Sequence, residues 1–209
     1  MLEIIAIDGP ASVGKSTLAK KISNYYKAPL LNSGRLYRAV ALKIINKKIN
    51  INNKYKILQC AKSLTNEDIK SESLFSSKID KIASEISSKK YLRKQLMAYQ
   101  REFPRKYAKG KKFAVIEGRD IGTEIFPKAK IKIFMWADAK VRAKRRHLQI
   151  KKKGQKTSLK RIYDEIVARD MNDLNRKIAP LKPAVNSVLL DTSYLDIEQA
   201  FNAIKRIFN

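Results

Sequence analysis

The feature that most constrains the fold of this chain is a glycine-containing loop near its start, placed between two apolar segments. Residues 9–16 match the pattern G-x-x-x-x-G-K-[ST]. The run Glu3–Ile7 before the loop predicts a buried strand, and Lys15–Tyr25 after it carries apolar residues at helical spacing. A strand, such a loop and a helix, in this order, predict a phosphate-binding loop in an α/β protein.

Gly9 and Gly14 give this loop the backbone freedom to bring its amide groups close to a phosphate. The amides at the start of the following helix point at the same anion, with the helix dipole behind them. Lys15 supplies a positive charge for the β- and γ-phosphates, and Ser16 supplies a hydroxyl ligand for Mg²⁺, for which Thr17 could substitute. The loop predicts ATP as phosphoryl donor and leaves the acceptor open. The predicted ATP-binding residues are Gly9, Pro10, Ala11, Ser12, Val13, Gly14, Lys15, Ser16 and Thr17.

The rest of the chain alternates short apolar runs with longer helical segments, which predicts a five-stranded parallel sheet flanked by helices. Residues 33 to about 105 and residues 139–176 show no strand pattern. The helices predicted after the first one are Tyr37–Ile45 and Asn202–Phe208. The four further predicted strands are Ala28–Leu31, Phe113–Ile116, Ile131–Trp136 and Val188–Leu190.

The charge balance is strongly positive, with 46 Lys and Arg against 19 Asp and Glu, a net charge of +27. Such a charge favours polyanionic partners, including nucleic acid. A·T-rich codon usage offers a second explanation for this charge, because such codons raise the Lys, Ile and Asn content together. The lysines are spread along the chain and few aromatic residues are interleaved with them. We therefore favour the compositional explanation and do not expect nucleic acid as a partner.

The cysteine content and the hydropathy pattern predict a cytoplasmic protein without a membrane partner. Cys60 is the single cysteine, so an internal disulfide is excluded, and its apolar neighbours predict a packed thiol. No apolar run approaches the roughly 18 residues that a membrane-spanning helix needs, and the first residues do not resemble a signal peptide.

Three polar segments carry the remaining candidates for the site, namely residues 30–38, 117–123 and 169–176. The first two follow predicted strands, and ligands of open α/β sheets bind beyond the carboxyl ends of strands. In the third, Arg169, Asp173 and Arg176 share one helical face.

With these segments the sequence closely resembles the bacterial cytidylate kinases, nearly from end to end. The phosphate loop, Ser-Gly-x-x-Tyr-Arg at 33–38, Gly-Arg-Asp-Ile-Gly-Thr at 118–123 and Arg-Asp…Asn-Arg…Ala-Pro-Leu at 169–181 appear in the family order. The resemblance implies the P-loop NTPase fold and phosphorylation of CMP and dCMP by ATP with Mg²⁺, in pyrimidine nucleotide metabolism. We expect the protein to be a monomer. The resemblance also implies one domain over residues 1–209: a core (1–32, 106–140 and 177–209), a mostly helical monophosphate-binding insert (33–105) and a lid (141–176).

The resemblance implies specific residue roles as well. Cytosine contacts are implied for Ser84, Arg93 and Asp120, sugar contacts for Arg169 and Asp173, and acceptor-phosphate contacts for Arg38, Arg119 and Arg176. The full set of implied CMP-binding residues is Ser33, Tyr37, Arg38, Ser84, Arg93, Gly118, Arg119, Asp120, Arg169, Asp173 and Arg176. The implied catalytic residues are Lys15, Arg119, Arg176, Arg142 and Arg146. The basic run that contains Arg142, Arg145 and Arg146 is similar to the family's lid, and a solvated helix face is the alternative explanation for it.

The sequence departs from the family pattern in four places. Asn32 and Glu117 replace aspartates, and Arg35 replaces a small residue. The stretch Thr65–Ser77 is short for the strand-bearing insert of bacterial relatives, so we expect a smaller and largely helical insert. Two alternatives remain open: a P-loop kinase for UMP or a small hydroxylated metabolite, with Asp8 or Asp120 as base, and a nucleic-acid-binding ATPase.

Overall fold

The fold is built on a five-stranded sheet whose strand order is β2-β3-β1-β4-β5. The computed structural model describes residues 1–152, 154 and 156–208. The central strand β1 pairs in parallel with β3 and β4, and β4 pairs in parallel with β5. This confirms the predicted five-stranded parallel sheet. The strands are β1 (Glu3–Asp8), β2 (Leu30–Asn32), β3 (Phe113–Glu117), β4 (Ile131–Trp136) and β5 (Val188–Asp191).

Helices occupy most of the chain between the strands. Short 3₁₀ turns cover Glu72–Leu74 and Arg206–Phe208, and a π-helical turn covers Ile121–Ile125. The helices are α1 (Lys15–Tyr25), α2 (Ser33–Asn46), α3 (Lys54–Lys62), α4 (Asn66–Lys70), α5 (Ser77–Ile86), α6 (Lys90–Tyr107), α7 (Ala139–Lys152), α8 (Leu159–Leu174) and α9 (Ile197–Lys205).

The chain divides into two compact units. The first unit comprises residues 1–30 and 108–209, and the second comprises residues 31–107. In the first unit, α1 and α9 bury their apolar faces together with β1, β3 and β4, through residues such as Leu18, Ile133 and Phe201. All five residues of β3 are buried, as expected of a strand covered on both faces.

The second unit is held by a core formed by its helices. Leu36, Ile57 and Leu96 are among the buried residues that α2, α3 and α6 contribute to it. From residue 33 to residue 107, all of which the structure describes, no strand is present. The predicted helical character of the insert is therefore confirmed.

Cys60 lies in α3 and is part of the second unit's core. Its thiol is buried, which confirms the predicted packed cysteine, and burial raises its pKa.

The predicted division into core, insert and lid stays a prediction. The lid range 141–176 includes residues 153 and 155, and the core range 177–209 includes residue 209; these three lie outside the described residues. No helix in the described part of the chain is long and apolar enough to cross a membrane.

Candidate active site

The loop of residues 9–14 is shaped by two glycines that no other residue could replace without strain. Gly9 has a φ of +146°, and a Cβ there would lie 2.2 Å from the carbonyl oxygen of Met135. Gly14 has a φ of +100° and is the N-cap of α1, where it supplies no side chain to bond the first amides. The first turn of α1 therefore presents backbone N–H groups in the manner of an anion-binding helix start.

Lys15 is buried at the first position of α1. Its ammonium donates a hydrogen bond to the carbonyl oxygen of Pro10 at 2.6 Å, so the side chain lies within the loop. Burial lowers the pKa of Lys15 well below its usual value, and the positive charges of Arg119 and Arg169 lower it further. Glu117 opposes this effect. Such an environment gains stability from an added anion, which is the chemistry that a phosphate-binding lysine needs.

Ser16 and Glu117 place a hydroxyl oxygen and a carboxylate side by side at the start of α1. The Ser16 hydroxyl donates to the Glu117 carboxylate at 3.0 Å. Glu117 ends β3 and is 2% exposed, and β3 pairs with β1, the strand that leads into the loop. A hydroxyl beside a carboxylate is a donor set of the kind that Mg²⁺ prefers. Sequence reasoning noted Glu117 only as a departure from the family; its place at the carboxyl end of a strand was the signal that could have identified it.

Asp8, the last residue of β1, holds the segment that follows β3. Its two carboxylate oxygens accept hydrogen bonds from the backbone amides of Ile121 at 2.8 Å and Gly122 at 2.7 Å. Burial raises the pKa of Asp8 from 3.8 to about 6, with a smaller upward effect of Asp120, while both amides and Lys15 act in the opposite direction. Sequence reasoning considered Asp8 only as a base in an alternative enzyme, whereas the structure shows it bonded to the π-helical turn after Asp120.

Two of the predicted acceptor-site arginines in the first unit, Arg119 and Arg176, contact the carboxylate of a third predicted residue, Asp173. Arg119 Nε donates to Asp173 Oδ2 at 2.9 Å, and Arg176 Nη1 lies 3.6 Å from Asp173 Oδ1. Arg176 also donates to the carbonyl oxygen of Ala179 at 2.8 Å. Burial alone would raise the pKa of Asp173, but Arg119, Arg176 and Arg169 together hold it below its usual value.

Gly118 and Asp120 flank Arg119 in the sequence. The Gly118 amide donates to the carbonyl oxygen of Ile7 at 2.9 Å, and the Asp120 side chain is buried. The segment after β3 is therefore tied to β1 at Gly118 and again, through Asp8, at Ile121.

Arg142 is the largest fully buried side chain in the described part of the chain, which differs from a freely reaching lid arginine. Its guanidinium donates to the carbonyl oxygens of Ala137 at 2.8 Å and Ala11 at 3.2 Å, and to the Asp170 carboxylate at 2.6 Å. It therefore links α7, α8 and the phosphate loop. Asp170 on α8 is thus the ion-pair partner of Arg142.

The two neighbouring arginines of α7, Arg145 and Arg146, are half-buried, whereas Arg142 is fully buried. Arg145 donates to the carbonyl oxygens of Thr192 at 2.6 Å and Leu195 at 3.2 Å. Arg146 is half-buried on the same helix.

The predicted CMP-binding residues of the second unit lie on three of its helices. Ser33 and Tyr37 belong to α2, and Ser84 is half-buried on α5. Arg93 of α6 is buried, donates to the carbonyl oxygen of Ser87 at 3.0 Å and has its guanidinium 6.0 Å from the centre of the Tyr37 ring.

Arg38, on α2, is the predicted phosphate-binding arginine of this unit. It donates to the carbonyl oxygen of Leu74 at 3.1 Å and lies 2.5 Å from Asp80 Oδ1. Its guanidinium Cζ stands 5.2 Å from the centre of the Phe75 ring.

Comparison with known proteins gives one consistent family. Residues 5–209 match the family model described as cytidylate kinase. A cytidylate kinase of Bartonella quintana is 41% identical over 198 residues, covering 95% of this chain and 90% of that protein. A cytidylate kinase of Acidiphilium cryptum is 39% identical over 206 residues, covering 99% of this chain and 95% of that protein. Among solved structures, a sugar kinase from a Janibacter species has a TM-score of 0.52 at 12% identity, covering all of this chain (100%) and 95% of its own, a likeness of fold.

Proposed function

Because this chain belongs to the cytidylate kinase family, we propose that it transfers the γ-phosphoryl group of ATP to CMP and dCMP, giving CDP and dCDP. The observation that carries the proposal is the similarity to curated cytidylate kinases at 39–41% identity over nearly the whole chain, which includes both units. The comparisons do not favour a metabolite kinase or a nucleic-acid-binding ATPase.

The donor side of the proposal relies on the loop of residues 9–17. Backbone amides of the loop and of the first turn of α1 would bind the phosphates, and Lys15 would place its charge on the β- and γ-phosphates. Ser16 and Glu117 would hold Mg²⁺, since both present oxygen atoms at the start of α1, and the ion would supply positive charge beside the phosphates.

The acceptor side relies on the arginines around Asp173. We propose that Arg119 and Arg176 bind the acceptor phosphate, because a planar guanidinium can bond two phosphate oxygens at once. Arg169 and Asp173 would contact the sugar. Asp120 would accept from the exocyclic amine of cytosine, a group that uracil lacks. In the second unit, Arg38 would bind phosphate, and Ser84 and Arg93 would bind the base, beside Ser33 and Tyr37.

No general base is required in this reaction. A phosphate monoester has a second pKa near 6, so the attacking oxygen is already ionised at neutral pH. Catalysis then depends on positioning and on charge stabilisation, which are the properties that Lys15 and the arginines supply. Arg146 on α7 stays the proposed lid arginine. For Arg142 we propose an indirect role. It would position the phosphate loop, whose Ala11 carbonyl oxygen it bonds, and the loop would contact the transferring phosphate.

The proposal also covers the oligomeric state and the cellular compartment of the protein. We propose a monomer in the cytoplasm, where ATP and CMP are available and where a single buried thiol such as Cys60 stays reduced.

A coupled assay of ADP release with CMP, dCMP, UMP and AMP as acceptors tests the proposal, with CDP identified directly as product. We expect rapid turnover with CMP and dCMP, little with UMP and AMP, and loss of activity when EDTA removes Mg²⁺. Turnover with UMP that equals turnover with CMP would favour the alternative kinase, and absence of CDP would refute the assignment.

A further inference from the structure

Arg35 occupies a position where a positive charge has an electrostatic cost. It stands in the first turn of α2, where its amide donates to the side chain of the N-cap residue Asn32 at 3.2 Å. A cation is unfavourable at a helix N-terminus, and no acidic residue lies in this turn to offset it. Arg35 is also three residues from Arg38, so two like charges share one helix face. The reason for an arginine here must therefore lie outside α2.

That reason is the short connection between α4 and α5. Arg35 Nε donates to the carbonyl oxygen of Ile69 at 2.6 Å, and Nη2 donates to the carbonyl oxygens of Lys70 at 2.8 Å and Ser71 at 3.0 Å. These carbonyls belong to the end of α4 and the residue after it, where a cation is favourable. Arg35 Nη2 also lies 3.7 Å from Glu72 Oε1, but the Glu72 side chain is highly exposed, so this salt bridge contributes little to stability.

The same connection sets the surroundings of Arg38. The Phe75 ring has the Arg35 Cζ 4.9 Å from its centre and the Arg38 Cζ 5.2 Å from its centre. The next residue back, Leu74, is fully buried, and its carbonyl oxygen accepts from Arg38. Leu74 and Phe75, two of the residues that hold the Arg38 guanidinium, thus lie three and four positions after Ser71, the last of the residues whose carbonyl oxygens Arg35 binds.

We infer that Arg35 is a positioning residue for the acceptor phosphate, and that it acts through Phe75 and Leu74 on Arg38. The inference rests on the proposed function, in which Arg38 binds the phosphate of CMP. The inference explains why a short insert and an arginine at position 35 occur together. The segment between α4 and α5 contains no strand, so the Arg35 guanidinium holds its backbone in place instead. Lysine could not substitute, because one ammonium cannot reproduce the forked contacts to three carbonyls and the stacking on a ring.

The test compares Arg35→Ala and Arg35→Lys with the wild type. We expect KM for CMP and for dCMP to rise about tenfold in both variants, because one charge-assisted phosphate contact is misplaced, while KM for ATP changes less than about twofold. Cytidine has no phosphate, so its inhibition constant against CMP should stay unchanged. The Phe75→Leu variant should raise KM for CMP in the same way and should add little to Arg35→Ala in the double variant.

Lys43→Ala is the matched control. Lys43 lies on the same helix and likewise holds the chain before α5, through Asp68 at 2.8 Å and the carbonyl oxygen of Ser63 at 3.2 Å. Unlike Arg35, which stacks on the Phe75 ring, Lys43 bonds to residues that precede this ring by seven or more positions. We expect this variant to keep the wild-type KM for CMP.

Three results would overturn the inference: an unchanged KM for CMP in Arg35→Ala, an equal rise in Lys43→Ala, or a parallel loss of cytidine affinity. Each differs from failure of the proposed function, which would appear as a wild type that makes no CDP.

Discussion

At the scale of single residues, several positively charged side chains of the first unit lie close enough to influence the pKa values of Lys15 and Asp173. Burial lowers the pKa of Lys15, and the charges of Arg119 and Arg169 lower it further. Burial would raise the pKa of Asp173, but Arg119, Arg176 and Arg169 hold it below its usual value. A buried cation beside other cations is stabilised when an anion arrives. The charges of this unit are therefore arranged to gain most from bound phosphate groups.

Asp120 gives the sharpest residue-scale prediction on specificity. Asp120→Ala should lower kcat/KM for CMP by about a hundredfold or more, because the cytosine amine loses its acceptor on binding. KM for ATP should stay within about twofold of the wild type. The measurement is steady-state kinetics with CMP and UMP as acceptors, and the preference for CMP should narrow. Asp164→Ala, which removes an exposed carboxylate on α8, is the control.

Asp8 gives a prediction on pH dependence. Its folded-state pKa is raised from 3.8 to about 6, so protonation of Asp8 favours the folded protein. Its contribution to stability is fully present below about pH 4 and is lost as the pH rises through about 6, a change of about 3 kcal/mol. Asp8→Asn has no such titration. The free energy of unfolding of the wild type, minus that of the variant, should therefore fall between about pH 4 and pH 7.

Urea denaturation of both proteins across this pH range provides the measurement. Parallel stability curves would show that Asp8 titrates normally and would contradict the arrangement of its carboxylate, buried against the amides of Ile121 and Gly122.

At the scale of elements, Arg142 links the helical pair α7–α8 to the phosphate loop. The pair has its own small apolar core, with Ala143 against Ile162 and Ile166. Arg142 adds bonds to Asp170 on α8 and to Ala11 in the loop. The position of the helices is thereby coupled to the backbone that would bind ATP.

Arg142→Ala should lower the free energy of unfolding by about 3–5 kcal/mol, because it leaves the Asp170 charge largely buried without its partner. It should also raise KM for ATP, since the carbonyl of Ala11 loses a donor. Lys144→Ala, an exposed substitution on the same helix, should change neither quantity. A double variant, Arg142→Met with Asp170→Leu, should recover part of the lost stability; no recovery would mean that the ion pair is not the cause.

The elements also show how much of the fold the sequence could predict. The start and end of α1 and β4 are found where predicted, since hydrophobic periodicity is strong in both. The second strand was predicted as Ala28–Leu31 and lies at Leu30–Asn32, because the chain after α1 first closes a turn in which Ser23 and Ala28 exchange two hydrogen bonds.

Two helix starts were predicted too late for a common reason. The helix predicted at Asn202–Phe208 begins at Ile197, where Asp196 and Gln199 form a capping box. The helix predicted at Tyr37–Ile45 begins at Ser33, after the N-cap Asn32. In both cases a polar capping residue marked the helix start, and the search for apolar periodicity passed over it.

The candidate site was predictable where it is local in sequence. The phosphate loop is contiguous and was read directly, whereas the bonds from Asp8 to Ile121 and from Ser16 to Glu117 join residues more than 100 positions apart. Such contacts depend on which strands become neighbours in the sheet, and a single sequence does not state the strand order. The contacts of Arg35 were equally hidden, since its carbonyl partners carry no side-chain signature.

At the scale of the whole molecule, the net charge of +27 is the property that most needs a test. On the compositional explanation, the surplus lysines give only the sequence-independent attraction to polyanions that any basic protein shows. A fluorescent single-stranded oligonucleotide should then bind with a Kd no tighter than about 10⁻⁶ M at physiological salt, and CMP should not compete with it. Tight binding that survives physiological salt and responds to ATP would instead support the nucleic-acid-binding alternative.

The burial of the chain's single cysteine has a practical consequence. Since Cys60 lies in the helical core of the second unit, a thiol-reactive dye can label it only when that core opens. The labelling rate thus reports the opening equilibrium of one unit, with no engineered probe and no background from a second thiol. Protection by a nucleotide would appear directly as slower modification, and its dependence on ligand concentration would give the affinity of the native state without any catalytic assay.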